Sequence, residues 1–166
     1  DPMSQQRVMI TAAADGIGRA IAKTFAADGA KVHICDVNEE ALAKFRKEFP
    51  FIPAAHVDVR NESQLNAWFD AGLKDLGGID VLVNNAGIKG PTAPVEGVSL
   101  ADWRECLEIC LDAQFLGAKR VAPLMKAQKS GAIINLSSNA GQHGFGNRTP
   151  YAAAKSGLNA ITVAFA

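Results

Sequence analysis

The chain has 166 residues, enough for one domain with a sizeable core, and its 48% hydrophobic and 20% charged content is that of a globular protein. Lys+Arg and Asp+Glu both number 17, so the formal net charge is zero and no basic field exists to hold a phosphate backbone; nucleic acid is not an expected partner. No run approaches the roughly 20 apolar residues of a membrane span, and Cys35, Cys106, Cys110, His33, His56 and His143 lack ligand-type spacing, so neither membrane nor metal is expected and a reduced, cytoplasmic setting fits.

Asp1-Pro2 ahead of Met3 reads as a cloning remnant. A short apolar strand is predicted over 8–10, a helix over 16–27, a strand over 31–35 and a helix over 39–49. A strand over 51–57, a helix over 62–76 and a strand over 79–83 follow. A loop rich in Gly and Pro (87–97) leads to a long helix from Leu100 to about Ala127 and a fifth strand over 132–136. A Gly/Asn-rich loop then precedes a helix opened by Pro150, whose fixed φ and missing N–H suit a first turn. Strands alternating with helices imply an α/β fold: a Rossmann-like, doubly wound parallel sheet with helices on both faces and right-handed crossovers. With no linker or repeat, 1–166 reads as a single domain.

Residues 11–18, TAAADGIG, join the first strand to its helix. Gly16 and Gly18 let backbone approach a ligand there, and a helix N-terminus offers free N–H groups and positive dipole to a pyrophosphate. A tight packing turn is the alternative. Asp36, 18 residues past Gly18 at the end of the second strand, stands where a carboxylate accepts hydrogen bonds from adenosine ribose hydroxyls; a solvated turn residue is the alternative. Asp36 and Asp15 would both repel a 2′-phosphate, which favours NAD over NADP. Asp58-Val59 and Asn84-Asn85-Ala86-Gly87 follow the third and fourth strands, where open α/β sheets bind ligands. Asx side chains at such places also close turns on their own backbone.

The stretch 133–158 carries the chemistry. Tyr151 and Lys155 lie four apart and share one helical face. A free tyrosine hydroxyl has a pKa of about 10, and a neighbouring ammonium favours the phenolate. A phenol so placed can pass a proton to or from a substrate oxygen. Ser138, at the end of the fifth strand, is placed to hydrogen-bond the same oxygen. For the Tyr-Lys pair alone, an amphipathic helix with a half-buried Tyr and a solvated Lys is the alternative.

With these residues in order, and Ser138 thirteen before Tyr151, the chain resembles the short-chain dehydrogenase/reductase family from Val8 to Ala166. The resemblance implies a Rossmann-type NAD-binding domain of an oxidoreductase that moves a hydride between NAD(H) and an alcohol or carbonyl substrate. It implies cofactor contacts from Thr11, Ala13, Asp15, Gly16, Ile17 and Gly18, from Asp36 at the ribose, from Asp58 and Val59 by the adenine, and from Asn85, Ala86 and Gly87. Tyr151 would be the general acid/base, Lys155 would lower its pKa and hold the nicotinamide ribose, and Ser138 would position the carbonyl or alcohol.

Three departures from the family pattern stand out. The turn begins Thr11-Ala12 where the family usually has Thr-Gly, with a modest effect expected on the turn. An asparagine that many members use in a water relay to the lysine is replaced by Cys110, a poor hydrogen-bond former that packs like a small hydrophobe. The relay either lacks that side chain or holds its water by backbone alone. The chain also stops at Ala166, inside the helix that carries Tyr151, along a face of Leu158, Ile161 and Phe165. The function is therefore assigned to a longer parent protein, and these residues alone are not expected to turn over substrate.

Leu107, Leu111, Phe115 and Val121 recur at near-helical spacing on the long helix. Core packing explains most such stripes, but the resemblance implies a dimer or tetramer through this helix and the Tyr-bearing one. The residues that would line a substrate site are 88–98 and 139–149, where Gln142, His143, Asn147 and Arg148 suit a sugar, polyol or hydroxy acid as well as plain loop solvation. A non-catalytic NAD(H)-binding sensor or scaffold on the same fold is the alternative function, supported by Ala12 and Cys110 and opposed by the complete Ser138, Tyr151 and Lys155 set. A sugar-nucleotide epimerase fits less well, since no nucleotide-sugar segment is visible.

Overall fold

A computed structural model describes residues 5–166, and Asp1-Pro2, read above as a cloning remnant, lies outside the described residues. Five strands, β1 (Arg7–Ile10), β2 (Lys31–Asp36), β3 (Ala54–His56), β4 (Val81–Asn84) and β5 (Ala132–Asn135), form one parallel sheet in the order β3-β2-β1-β4-β5. The connecting helices are α1 (Gly16–Ala27), α2 (Glu39–Glu48), α3 (Glu62–Leu76), α4 (Leu100–Leu107), α5 (Ala113–Gln128), α6 (Ala140–His143) and α7 (Thr149–Phe165).

Successive strand side chains point to opposite faces, and both faces here are apolar, as helices on each side require. Val8, Ile10, Val81 and Val83 pack on one side with Ala22 of α1 and Leu42 and Phe45 of α2. Met9 and Leu82, from the same two strands, pack on the other with Leu65, Trp68 and Phe69 of α3 and Val121 and Met125 of α5. The chain runs outward from β1 to β3, then crosses back to β4 on the other side of β1. That reversal opens a crevice at the carboxyl ends of β1 and β4, where ligands bind in sheets of this kind.

Three local differences from the sequence reading have physical causes. The third strand spans Ala54–His56 rather than 51–57, because Ile52 N turns back onto Phe49 O and Pro53 has no N–H to give a ladder. The long helix is interrupted by a π-helical segment, Glu108–Asp112, in which Ala113 N reaches back five residues to Glu108 O. The Gly/Asn-rich loop holds a single helical turn, α6.

Candidate active site

Thr11 joins the carboxyl ends of the two strands that flank the crevice. Its N–H donates to Val83 O at 3.1 Å, and its hydroxyl accepts from Asn85 N at 3.0 Å and Ala86 N at 3.1 Å. The Asn85 amide donates across to Ala12 O at 2.8 Å and Thr11 O at 3.2 Å. Asn85 thus braces the glycine turn with its side chain. A Cβ on Gly18 would stand 2.5 Å from both Ala12 O and Asn85 Nδ2, so α1 starts this close to the turn only with glycine there.

Gly16 sits at φ +57 with nothing within 4 Å of a Cβ position, so the outer side of the turn is open. Asp15 caps α1 by accepting from Gly16 N at 2.8 Å. The next first-turn N–H groups, of Ile17 and Gly18, belong to the set a helix leaves without internal acceptors, at its positive end. Ile17 is exposed beside them, whereas Ala13 is buried and its N–H donates to Cys35 O. Ala12 stands at φ +51, in the region that favours glycine; this is the physical content of the Thr-Ala departure.

The Asp36 carboxylate accepts from Ala14 N and Asn38 N, each at 3.0 Å. It fixes the turn and leaves lone pairs for further donors. A cleft of ≈ 280 Å³ runs from Ala12 and Asp36 past Val57, Asp58 and Val59 to Gly87. Here the structure adds a residue that sequence reasoning missed. Arg60 donates to Asp58 through its backbone N (3.0 Å), Nε (3.0 Å) and Nη2 (2.7 Å), and through Nη1 to Glu105 Oε1 at 3.0 Å. That guanidinium holds the Asp58 carboxyl below the ordinary aspartate range. Asp58 therefore meets the cleft as half of an ion pair, and its N–H is taken by Gln64 Oε1 at 2.9 Å.

At the other end of the crevice, Lys155 is only 4% exposed, so the solvated-lysine alternative does not hold. Its Nζ donates to Leu136 O at 2.6 Å, while Lys155 O accepts from Ser137 Oγ at 3.4 Å. Burial pushes the Lys155 pKa below the ordinary lysine value, with the Cys110 and Cys106 sulfurs acting in the opposite sense. Tyr151 is half-buried on the small cluster of Cys106, Cys110 and Ala154, with Lys155 Nζ 5.8 Å from its ring centroid. A Cβ on Gly87 would lie 3.7 Å from Lys155 Nζ and 3.8 Å from Cys110 Sγ, so the Asn-Asn-Ala-Gly run, the lysine and the cysteine meet at one point. Ser138, half-buried at the end of β5, accepts from Ala140 N at 3.2 Å and starts α6.

Cys110 lies in the π-helical segment and is fully buried. Its thiol accepts from Ile88 N at 3.3 Å and donates to Ile88 O at 3.4 Å. The residue thus packs as a hydrophobe and still ties the helix to the loop after β4. π-bulges recur at functional sites, where they re-aim backbone groups.

A run of amides, also missed from the sequence, anchors this end of the sheet to α7. Asn84 Nδ2 donates to Asn135 Oδ1 at 2.8 Å, and Asn135 Nδ2 donates to Thr162 Oγ1 at 2.9 Å. Gln114, fully buried, donates to Ala86 O at 2.6 Å. The only sequence signal for it was an Asn at the end of each of two strands, which the register pairs as Asn84 with Asn135.

A family model described as short chain dehydrogenase matches residues 6–166. Levodione reductase of Leifsonia aquatica is 38% identical over 161 residues, covering 93% of this chain and 60% of that protein. Trans-4-hydroxycyclohexanecarboxylate dehydrogenase of Sinomonas cyclohexanicum is 41% identical over 172 residues, covering 98% of this chain and 66% of that protein. A crystal structure of NAD+-bound xylitol dehydrogenase superposes with a TM-score of 0.87 at 32% identity, covering 98% of this chain and 64% of the other. The chain thus spans 60% to 66% of the length of these curated relatives. The glycine turn, the parallel sheet reversing at β1 and these matches lead to one conclusion: the chain belongs to the short-chain dehydrogenase/reductase family, a family of oxidoreductases that use a nicotinamide cofactor.

Proposed function

We propose that the protein interconverts an alcohol and a carbonyl compound with NAD(H), with Tyr151 as general acid/base, Lys155 as its cationic partner and Ser138 positioning the substrate oxygen. The observation that carries this reading is the convergence of the Tyr151 ring, the buried Lys155 ammonium and Gly87 at the carboxyl ends of β4 and β5.

The residues present fit a dinucleotide. The open side of Gly16, the first-turn amides of α1 and the close approach at Gly18 form a cradle for its diphosphate. Thr11, Ala13, Asp15, Ile17, Val59, Asn85 and Ala86 shape that cradle and its walls. Asp36 would bond the adenosine ribose, and with Asp15 would repel a 2′-phosphate, so NAD is favoured over NADP. Asp58 and Val59 border the adenine end, with Arg60 as a further planar group there. When bound, the nicotinamide supplies the two-electron chemistry as hydride acceptor or donor.

The chain's own residues manage the proton. Lys155 spends one of its three donors on Leu136 O, which aims the ammonium and leaves two donors for a ribose hydroxyl and for the tyrosine side. Such a cation stabilises negative charge on the Tyr151 oxygen as it gives up its proton to the substrate oxygen. Ser138 Oγ accepts from Ala140 N, so its own proton remains free to donate to that oxygen.

Phe115, 47% exposed on α5, and Leu107 and Leu111 beside the Tyr151 cluster support α4, α5 and α7 as a subunit interface of a dimer or tetramer. No helix among the described residues is long and apolar enough to cross a membrane, and a cytoplasmic location is proposed. Titration of NADH into the full-length parent protein, then a screen of alcohols and ketones at 340 nm, tests the reading. Turnover that Tyr151→Phe abolishes supports it; NADH binding with no turnover on any substrate, unchanged in Tyr151→Phe, supports the sensor alternative instead.

A further inference from the structure

Of the seven arginines, five form ion pairs: Arg7 with Asp80, Arg19 with Glu48, Arg46 with Glu39, Arg60 with Asp58 and Arg120 with Asp70. Arg104 is exposed to water. Arg148 is different. It is half-buried at the start of α7, its guanidinium carbon 4.9 Å from the Tyr151 ring centroid, and it has no carboxylate partner among the described residues. Nη2 donates to Lys89 O at 2.5 Å, and the neighbouring loops are joined by Ala93 N to Asn147 O at 3.0 Å. The buried Nε has no acceptor. Within the protein, one of the five guanidinium donors therefore has an acceptor.

Withdrawing a cation from water without a counter-ion is costly, and so is burying an unpaired donor. The position makes the cost informative. Lys155 also lacks a carboxylate partner among the described residues, so two cations stand over the Tyr151 ring at one end of the crevice, whereas Asp36, Asp58 and Glu105 line the other end. A planar guanidinium with its donors uncommitted matches a planar carboxylate.

We infer that Arg148 anchors a carboxylate on the substrate, so that the substrate is an alcohol or ketone bearing a carboxylate group. The inference rests on the oxidoreductase reading of the same crevice. Arg148 is on this account a specificity-determining residue: its bond to Lys89 O fixes the guanidinium beside Tyr151, and the substrate supplies the missing charge.

The test uses the full-length parent protein with NADH bound, titrated with isobutyrate and with isobutyramide, two probes of near-equal shape that differ in charge. NADH fluorescence reports binding in the wild type, Arg148→Lys and Arg148→Gln. The expected result is at least tenfold tighter binding of isobutyrate in the wild type, lost in Arg148→Gln and partly kept in Arg148→Lys. Equal affinity for the two probes, no binding of isobutyrate, or a preference that survives Arg148→Gln overturns the proposal. NADH affinity is measured first. A wild type that does not bind NADH removes the oxidoreductase reading and this proposal with it, whereas one that binds NADH without preferring isobutyrate removes this proposal alone. The wild-type comparison decides the matter even where a variant fails to fold.

Discussion

The Lys155 ammonium donates a 2.6 Å hydrogen bond to the Leu136 carbonyl, and this bond pins the face of α7 that carries Tyr151 and Lys155 to the end of the fifth strand. Leu136 O lies one residue past β5 and has no following strand residue to satisfy it in a ladder, so the lysine has a structural role beside the chemical one proposed for it. Lys155→Met keeps the length of the side chain and removes the charge. We expect kcat to fall by roughly 10²-fold or more, the range general acid–base partners supply. The melting temperature should change little, because losing one bond is offset by losing a buried cation. Steady-state rates with thermal unfolding of the same preparation check both halves.

Ala12 occupies φ +51, and a non-glycine residue there costs on the order of 1 kcal/mol or more. Glycine relieves the strain but adds unfolded-state entropy of about 0.4–1 kcal/mol. Ala12→Gly should therefore be neutral to stabilising by roughly 0.5 kcal/mol, whereas Gly18→Ala should be severely destabilising because its Cβ would meet Ala12 O at 2.5 Å. Urea titrations of the two variants should move in these different directions.

How much of this was legible beforehand can be argued from single residues. The turn at Gly16 and Gly18 and the bracing carboxylate of Asp36 are legible because a positive φ, a close approach and a short-range Asx bond each depend on one residue type at one place. The π segment was not visible: Cys106, Cys110, Ala113, Gly117 and Val121 are all buried, which is what an unbroken helix would also give, and the bulge shows only in the bond from Ala113 N to Glu108 O. Arg60 is legible only in part: Asp58 is two residues away, but Glu105, which fixes the other side of the guanidinium, is 45 residues away and only the fold brings it there. Cys110, expected as a poor hydrogen-bond former, still meets both polar groups of Ile88 with its sulfur. Of Ser138, Tyr151 and Lys155, the structure brings the last two together, with Lys155 Nζ 5.8 Å from the Tyr151 ring centroid and bonded to Leu136 O, two residues before Ser138.

Asp36 braces Ala14 N and Asn38 N, so its removal should cost both stability and discrimination. Asp36→Ala costs about 1–2 kcal/mol for two lost charge-assisted bonds to backbone. Combined with Val37→Arg at the exposed neighbouring position, it should lower the preference for NADH over NADPH by at least tenfold. Binding titrations with the two cofactors measure this, and equal affinities in the wild type would refute the assignment.

His33 gives the fold a pH limit away from the site. Its Nδ1 accepts from Trp68 Nε1 at 2.9 Å, which places the ring proton on Nε2, 3.5 Å from Asp75 Oδ2. Burial lowers its pKa from the ordinary 6.5, with Asp75 opposing. The folded state then binds this proton less readily than the unfolded chain. Stability from the neutral ring is complete above about pH 6.5 and is lost as pH falls through the lowered folded value. Unfolding midpoints at pH 7.5 and below 6 should show that loss in the wild type and a flatter dependence in His33→Gln; parallel slopes would count against it.

The central claim is that a tyrosine beside a buried lysine passes the proton in a reaction run on a bound nicotinamide. Its most direct measurement is kcat for Tyr151→Phe against the wild type, made on the full-length parent protein with NADH affinity determined for both proteins. The account predicts a loss of at least about 10²-fold in kcat with NADH affinity within a few-fold of the wild type. Turnover that survives the loss of the hydroxyl would contradict it.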